Sequence, residues 1–166
     1  MKLRTKEVAL FGVLGGLTFA AKVVMMGLPN IEPVTLMVML FSVTFGRKAL
    51  YPIYVYVLLE FVLHGIHFWS INYLYVWAVL ACAAWILRSM RSPFGWALLA
   101  GIYGLLFGLL CAPVYAVTGG LTFAVTWWLN GIPYDLIHGV GNFLIVLALF
   151  APLRGWMEKL YGQIMR

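Results

Sequence analysis

The sequence predicts an all-α integral membrane protein, a bundle of six transmembrane helices with both termini in the cytoplasm. Three observations lead there. Apolar residues make up 64% of the 166-residue chain and charged ones only 10%, too little polar surface to clothe a soluble domain of this length. Proline, glycine and asparagine clusters divide the apolar sequence into successive helix-length stretches. The basic residues then fall on alternate connections. Lys2, Arg4 and Lys6 precede the first span, Arg47 and Lys48 follow the second, Arg88 and Arg91 the fourth, and Arg154, Lys159 and Arg166 the last. The connections around 28–33, 65–72 and 117–132 hold no Lys or Arg. Because cytoplasmic loops retain positive charge, the pattern orients six crossings with both ends inside.

The first helix is expected from Val8 to Gly27, ending before Leu28-Pro29-Asn30-Ile31-Glu32-Pro33, where two prolines disfavour helix in the residues before them. Its apolar run exceeds a signal-peptide core and no small-residue cleavage pattern follows, so it is expected to stay in the mature protein. The second, Val34 to Phe45, is short for a hydrocarbon core of about 30 Å at about 1.5 Å per residue. It is kept as a crossing because Arg47 and Lys48 would otherwise face outward. The third runs from Ala49 to His64 with Pro52 in its tolerant first turn, and the fourth from Tyr73 to Leu87. The fifth runs from Phe94 to Ala112, ending at Pro113, and Leu121 to Leu129 reads as a short interfacial helix on the outer face. Asn130-Gly131-Ile132-Pro133 opens the sixth, which ends near Pro152. Residues 1–166 thus form a single transmembrane domain with no room for a soluble one.

Composition also excludes functions. The net charge of +6 is accounted for by the inner-face residues, which favours orientation and anionic-lipid contact over nucleic acid binding. Cys82 and Cys111 lie in apolar stretches without zinc-type spacing and read as packing thiols. There is no HExxH, GxSxG or GxxxxGK[ST] motif, so neither an enzyme nor a nucleotide hydrolase is expected, and no cofactor is assigned. Glu60, His64 and His67 have spacing that a divalent cation could use, but the third lies past the helix end and no metal site is assigned.

Ionisable groups inside spans are costly and mark function by default. Lys22, Glu32, Glu60, His64, His67, Asp135 and His138 all map to the outer third, where Lys22 also fits snorkelling and Asp135 a helix-dipole position. Asn30, Asn72, Asn130 and Asn142 lie at similar or slightly deeper levels with Trp69, Tyr73, Tyr75, Trp77, Trp127, Trp128 and Tyr134. Tyr134, Asp135, His138 and Asn142 recur at three- and four-residue intervals, as one helical face requires. The expected binding set is Asn30, Glu32, Trp69, Asn72, Tyr75, Trp128, Tyr134, Asp135, His138 and Asn142. Small residues repeat every four positions at Gly12, Gly16 and Ala20, and at Gly104, Gly108 and Ala112, allowing close helix approach. The second ridge is expected inside the bundle and the first against a partner.

The Leu28-Pro-Asn-Ile-Glu-Pro-Val-Thr string after a small-residue-rich helix, the Asn72-Tyr-Leu-Tyr-Val-Trp77 segment and Gly131-Ile-Pro-Tyr-Asp-Leu-Ile-His-Gly-Val-Gly-Asn142 resemble the substrate-binding S components of energy-coupling factor transporters. The resemblance spans essentially the whole chain. It implies a multi-pass subunit of a prokaryotic plasma membrane that captures a water-soluble vitamin or related micronutrient from outside. A membrane scaffold subunit and two cytoplasmic ATPases would be its partners, and the Leu28–Pro33 loop would act as gate. By the same resemblance Gly12, Gly16 and Ala20 would meet the scaffold. The aromatic content favours a large conjugated ligand such as a cobalamin, ahead of riboflavin, pantothenate, a queuosine precursor or a transition-metal ion. A self-sufficient small transporter is the competing class.

Overall fold

A computed structural model describes residues 3–28 and 30–166; Lys2 of the charge pattern and Pro29 of the loop lie outside them. Among the described residues the fold is entirely helical. The helices are α1 (Thr5–Val24), α2 (Val34–Phe45), α3 (Leu50–His64), α4 (Phe68–Ile86), α5 (Pro93–Leu105) and α6 (Phe107–Ile164), with one 3-10 turn, Gly46–Ala49, between α2 and α3. Four stretches are long and apolar enough to cross a membrane: Thr5–Val24, Val34–His64, Phe68–Ile86 and Pro93–Ile164. At 12 and 15 residues, α2 and α3 each fall short of a span alone and count as one stretch.

Helix α4 starts at Phe68, five residues before the expected Tyr73. Ser70 explains the early start: its hydroxyl accepts a hydrogen bond from the His67 amide at 2.8 Å, so the first turn is closed locally. Helix α5 starts as its sequence dictates, with Ser92 Oγ accepting from the Gly95 amide at 3.1 Å and Pro93 in the first turn.

The largest departure lies beyond residue 105. Instead of a fifth helix ending at Pro113 and an interfacial helix over 121–129, the chain stays helical through Pro113, Pro133 and Pro152. Its backbone breaks at Gly120, which stands at φ 82°, ψ 170°. That conformation is open only to glycine, and the chain reverses there. Trp96 stacks on Phe150 at 4.6 Å, Gly108 pairs with Asp135, and Tyr115 stacks on Trp127 at 3.8 Å, so the two limbs run antiparallel back from the apex. Leu121–Leu129 is therefore the start of the returning limb. All three prolines lie on exposed positions of the helix.

Gly104 makes the hairpin tight. A Cβ there would stand 2.7 Å from Gly139 Cα and 2.8 Å from its nitrogen, so the backbones touch. The Gly104 ridge is internal, as expected. On α1 only Gly15 packs inward, against Val55 and Pro52, whereas Gly12 and Gly16 have no atom within 4 Å of a built Cβ. That ridge faces away from the bundle.

The core is aromatic and aliphatic, centred on Trp77, Trp96, Tyr56, Phe11, Phe41 and Phe150. Contacts gather the basic residues at one end. Lys48 and Tyr161 both donate to Glu7, Arg4 and Lys6 reach the carbonyls of Met165 and Ile164, and Arg154 reaches those of Arg88 and Met90. Lys22 stands apart at the opposite end with Glu32 and Glu60.

Candidate ligand site

The Met25–Pro33 connection folds over that opposite end, where Asn30 takes φ 56°, a left-handed conformation that asparagine tolerates. It seats against α6: a Cβ on Gly141 would meet Ile31 Cγ1 at 3.3 Å and the Asn30 carbonyl oxygen at 3.7 Å. Beneath it lies a cavity of about 240 Å³ whose walls include Lys22, Met25, Asn30, Glu32, Tyr73 and His138, with Phe107 closing one side.

Lys22 is the hub of this region. Its ammonium donates to Tyr56 Oη at 3.2 Å and Tyr73 Oη at 3.0 Å, and lies 3.2 Å from Glu60 and 3.8 Å from Glu32. It also sits 4.8 Å from the Tyr73 ring centroid, within cation–π range. One cation thus serves two carboxylates, one on α3 and one on the overlying loop. Burial pushes the Glu32 carboxyl above its ordinary range, with Lys22 opposing the shift.

Helix α6 supplies the other wall. Asp135 accepts from the Gly108 amide at 3.0 Å, and His138 stacks on Phe107 with ring centroids 4.9 Å apart. Asn142, one helical turn further, is 1% exposed. Asp135 Oδ2, His138 Nε2 and both amide atoms of Asn142 have no hydrogen-bond partner, and the same holds for Asn72 Nδ2 and Trp77 Nε1. Of these, only His138 belongs to the cavity lining; buried polar atoms are ordinarily satisfied, so its Nε2 is what an occupant would satisfy.

Three of the ten expected residues, Asn30, Glu32 and His138, line the cavity, and Asp135 and Asn142 share the His138 face. Asn72 is fully buried, with the Tyr75 hydroxyl 2.9 Å from its Oδ1 and 2.8 Å from the Leu110 carbonyl. Trp69 packs edge-on to both Tyr73 and His64. Tyr134 is a correction: it is 59% exposed, because the face that includes Asp135, His138 and Asn142 turns it outward. Trp128 is half-buried, and its neighbour Trp127 makes the aromatic contact across the hairpin.

Lys22, Met25 and Phe107 were not in the expected set. Lys22 was the available signal, being the sole Lys or Arg inside the spans expected from sequence. His64 Nδ1 approaches Glu60 at 3.2 Å, but among the described residues no three His, Cys, Asp or Glu side chains gather as a metal site would require. A broader hollow of about 510 Å³ over Ile66–Trp69, Ile71 and Tyr115 opens at the surface, but it has no comparable orphaned group. No family model, curated protein or solved structure matches this chain.

Proposed function

We propose that the chain is the substrate-binding membrane subunit of an energy-coupling factor type transporter, a six-crossing protein with both termini in the cytoplasm. The supporting observation is the loop-covered cavity lined by Lys22, Glu32 and His138, whose Nε2 lacks a hydrogen-bond partner. Six crossings follow if Val34–His64 and Pro93–Ile164 each traverse twice, at the turn of Gly46–Ala49 and at Gly120. With the basic end inside, the cavity faces outward.

Below the cavity the core passes into Phe11, Leu14, Met39, Leu40, Phe41 and Leu80. Thr18 and Ser42 in this layer return their hydroxyls to their own helices, at the carbonyls of Leu14 and Val38. A conducting path needs polar groups continuing past mid-membrane, so this layer favours capture over self-sufficient transport. Partner ATPases would then supply the driving force, and the open Gly12–Gly16 face of α1 would meet the scaffold subunit.

The cavity size bears on the ligand. At about 240 Å³ it suits a compact molecule, and a corrinoid is far larger. Riboflavin, pantothenate and a queuosine precursor are accordingly preferred over cobalamin. The test is a thermal-stability screen of the purified chain against such a panel, with uptake into sealed vesicles measured in parallel. One strong stabiliser and no accumulation without partner subunits is the expected outcome. Accumulation by the chain alone would replace this reading with a self-sufficient transporter.

A further inference from the structure

A second site lies at the basic end, on the outer surface between α3 and α4. Arg47 and Arg88 both lie over the indole of Trp85, at 5.4 Å and 5.1 Å from its centroid. Neither guanidinium has a carboxylate partner among the described residues, and both are exposed. The acidic side chains at this end are already engaged, Glu7 by Lys48 and Tyr161 and Glu158 by Arg154. Two like charges held on one ring without a counter-charge repel each other unless an anion comes between them.

The space beside them is apolar. Ala78, Ala81 and Cys82 on α4 are small and leave a groove of about 250 Å³ against Leu50, with Arg47 and Trp85 at its mouth. From Trp85 to Ala78 the groove follows two turns of helix, about 10 Å. It ends where Tyr54 Oη donates to the Leu74 carbonyl at 2.7 Å, bridging α3 to α4. A second apolar trough, lined by Tyr51, Tyr54, Val55 and Leu58, starts from the same Arg47 and Leu50. Two apolar channels therefore diverge from Arg47, with Arg88 beside it across the Trp85 ring.

We infer that this is a binding site for an anionic diacyl phospholipid, its phosphate held by Arg47 and Arg88 and its chains laid along the two channels. Charge complementarity selects an anion, and the paired troughs select a ligand with two hydrocarbon tails over free phosphate. The inference does not depend on what the opposite cavity binds. It requires only that the apolar helices lie in a bilayer.

The test titrates the detergent-purified full chain with phosphatidylglycerol or phosphatidylcholine of identical acyl chains, counting bound lipid by native mass spectrometry. The unmodified protein should retain phosphatidylglycerol preferentially. Arg47→Gln with Arg88→Gln should cut that retention roughly thirtyfold, from what two cations near an anionic headgroup contribute. Lys159→Gln with Arg166→Gln, which removes the same charge from exposed positions elsewhere, should leave it unchanged. Cys82→Trp, at an exposed position that fills the groove, should reduce binding of both lipids while sparing the arginines. Arg88→Gln alone, on an exposed side chain, serves if the double variant does not fold. Equal loss in the control pair, no preference for phosphatidylglycerol, or displacement of the lipid by excess inorganic phosphate would each overturn the proposal.

Discussion

Substituting Gly104 by alanine adds one methyl group where the structure has no room for it. The new Cβ would stand 2.7 Å from Gly139 Cα and 2.9 Å from the His138 carbonyl carbon, both backbone atoms that cannot rotate away. Overpacking of this kind costs about 1–3 kcal/mol when side chains can adjust, and the upper part of that range applies here. Alanine's better helix propensity returns about 1 kcal/mol, leaving a net destabilisation of about 2 kcal/mol. For a chain of this size that lowers the melting temperature by roughly 4–8 °C. Gly12→Ala makes the opposite case: the Cβ meets nothing within 4 Å, so only the propensity gain remains and the melting temperature should rise by roughly 1–4 °C. The assay is thermal unfolding of both variants in one detergent. A Gly104→Ala protein as stable as the unmodified chain would refute the back-to-back packing of the hairpin.

Three further outcomes are expected. Lys22→Met leaves the fully buried Glu60 without its cation and should destabilise by about 3–5 kcal/mol, whereas Lys22→Met with Glu60→Met should recover most of the loss; denaturation of single and double variants decides this. Ligand at about a hundred times its dissociation constant should stabilise the protein by roughly 2.7 kcal/mol, a gain that Asn142→Ala or Asp135→Ala largely removes and exposed Trp156→Ala does not; thermal shifts with and without ligand measure it. Gly16→Leu should abolish co-purification with a scaffold subunit while the isolated chain still binds ligand; parallel loss of both would place that face inside the bundle.

What could be read from the residues was what depends on local pattern. The alternating basic loops foretold that Arg4, Lys48, Arg88 and Arg154 would gather at one end, and Val34–Phe45 was bounded correctly by its flanking proline and glycine. The three- and four-residue spacing of Asp135, His138 and Asn142 was enough to place them on one buried face of α6. Tyr134 satisfied part of that spacing yet points outward, because the contact with Gly108 and Gly104 fixes the rotation of the helix. Pro113 and Pro133 were poor guides, since the chain stays helical through both and breaks instead at Gly120, whose φ only glycine adopts freely. Lys22 joins partners 34, 38 and 51 positions away, a convergence that no short window of sequence contains.

The clasp around Glu7 carries a consequence for how the chain is assembled. Its carboxylate takes one hydrogen bond from the Arg4 amide, next door, one from Lys48, 41 positions on, and one from Tyr161, 154 positions on. During synthesis the first two partners arrive early and the third only with the final helix. Until then the foot of α1 holds an acidic group short of one donor. Helix α1 is already seated on α3 through Gly15, Val55 and Pro52, so Tyr161 adds a late tie that locks the foot of this helix, and with it the outward Gly12–Gly16 face, to the returning limb of the hairpin.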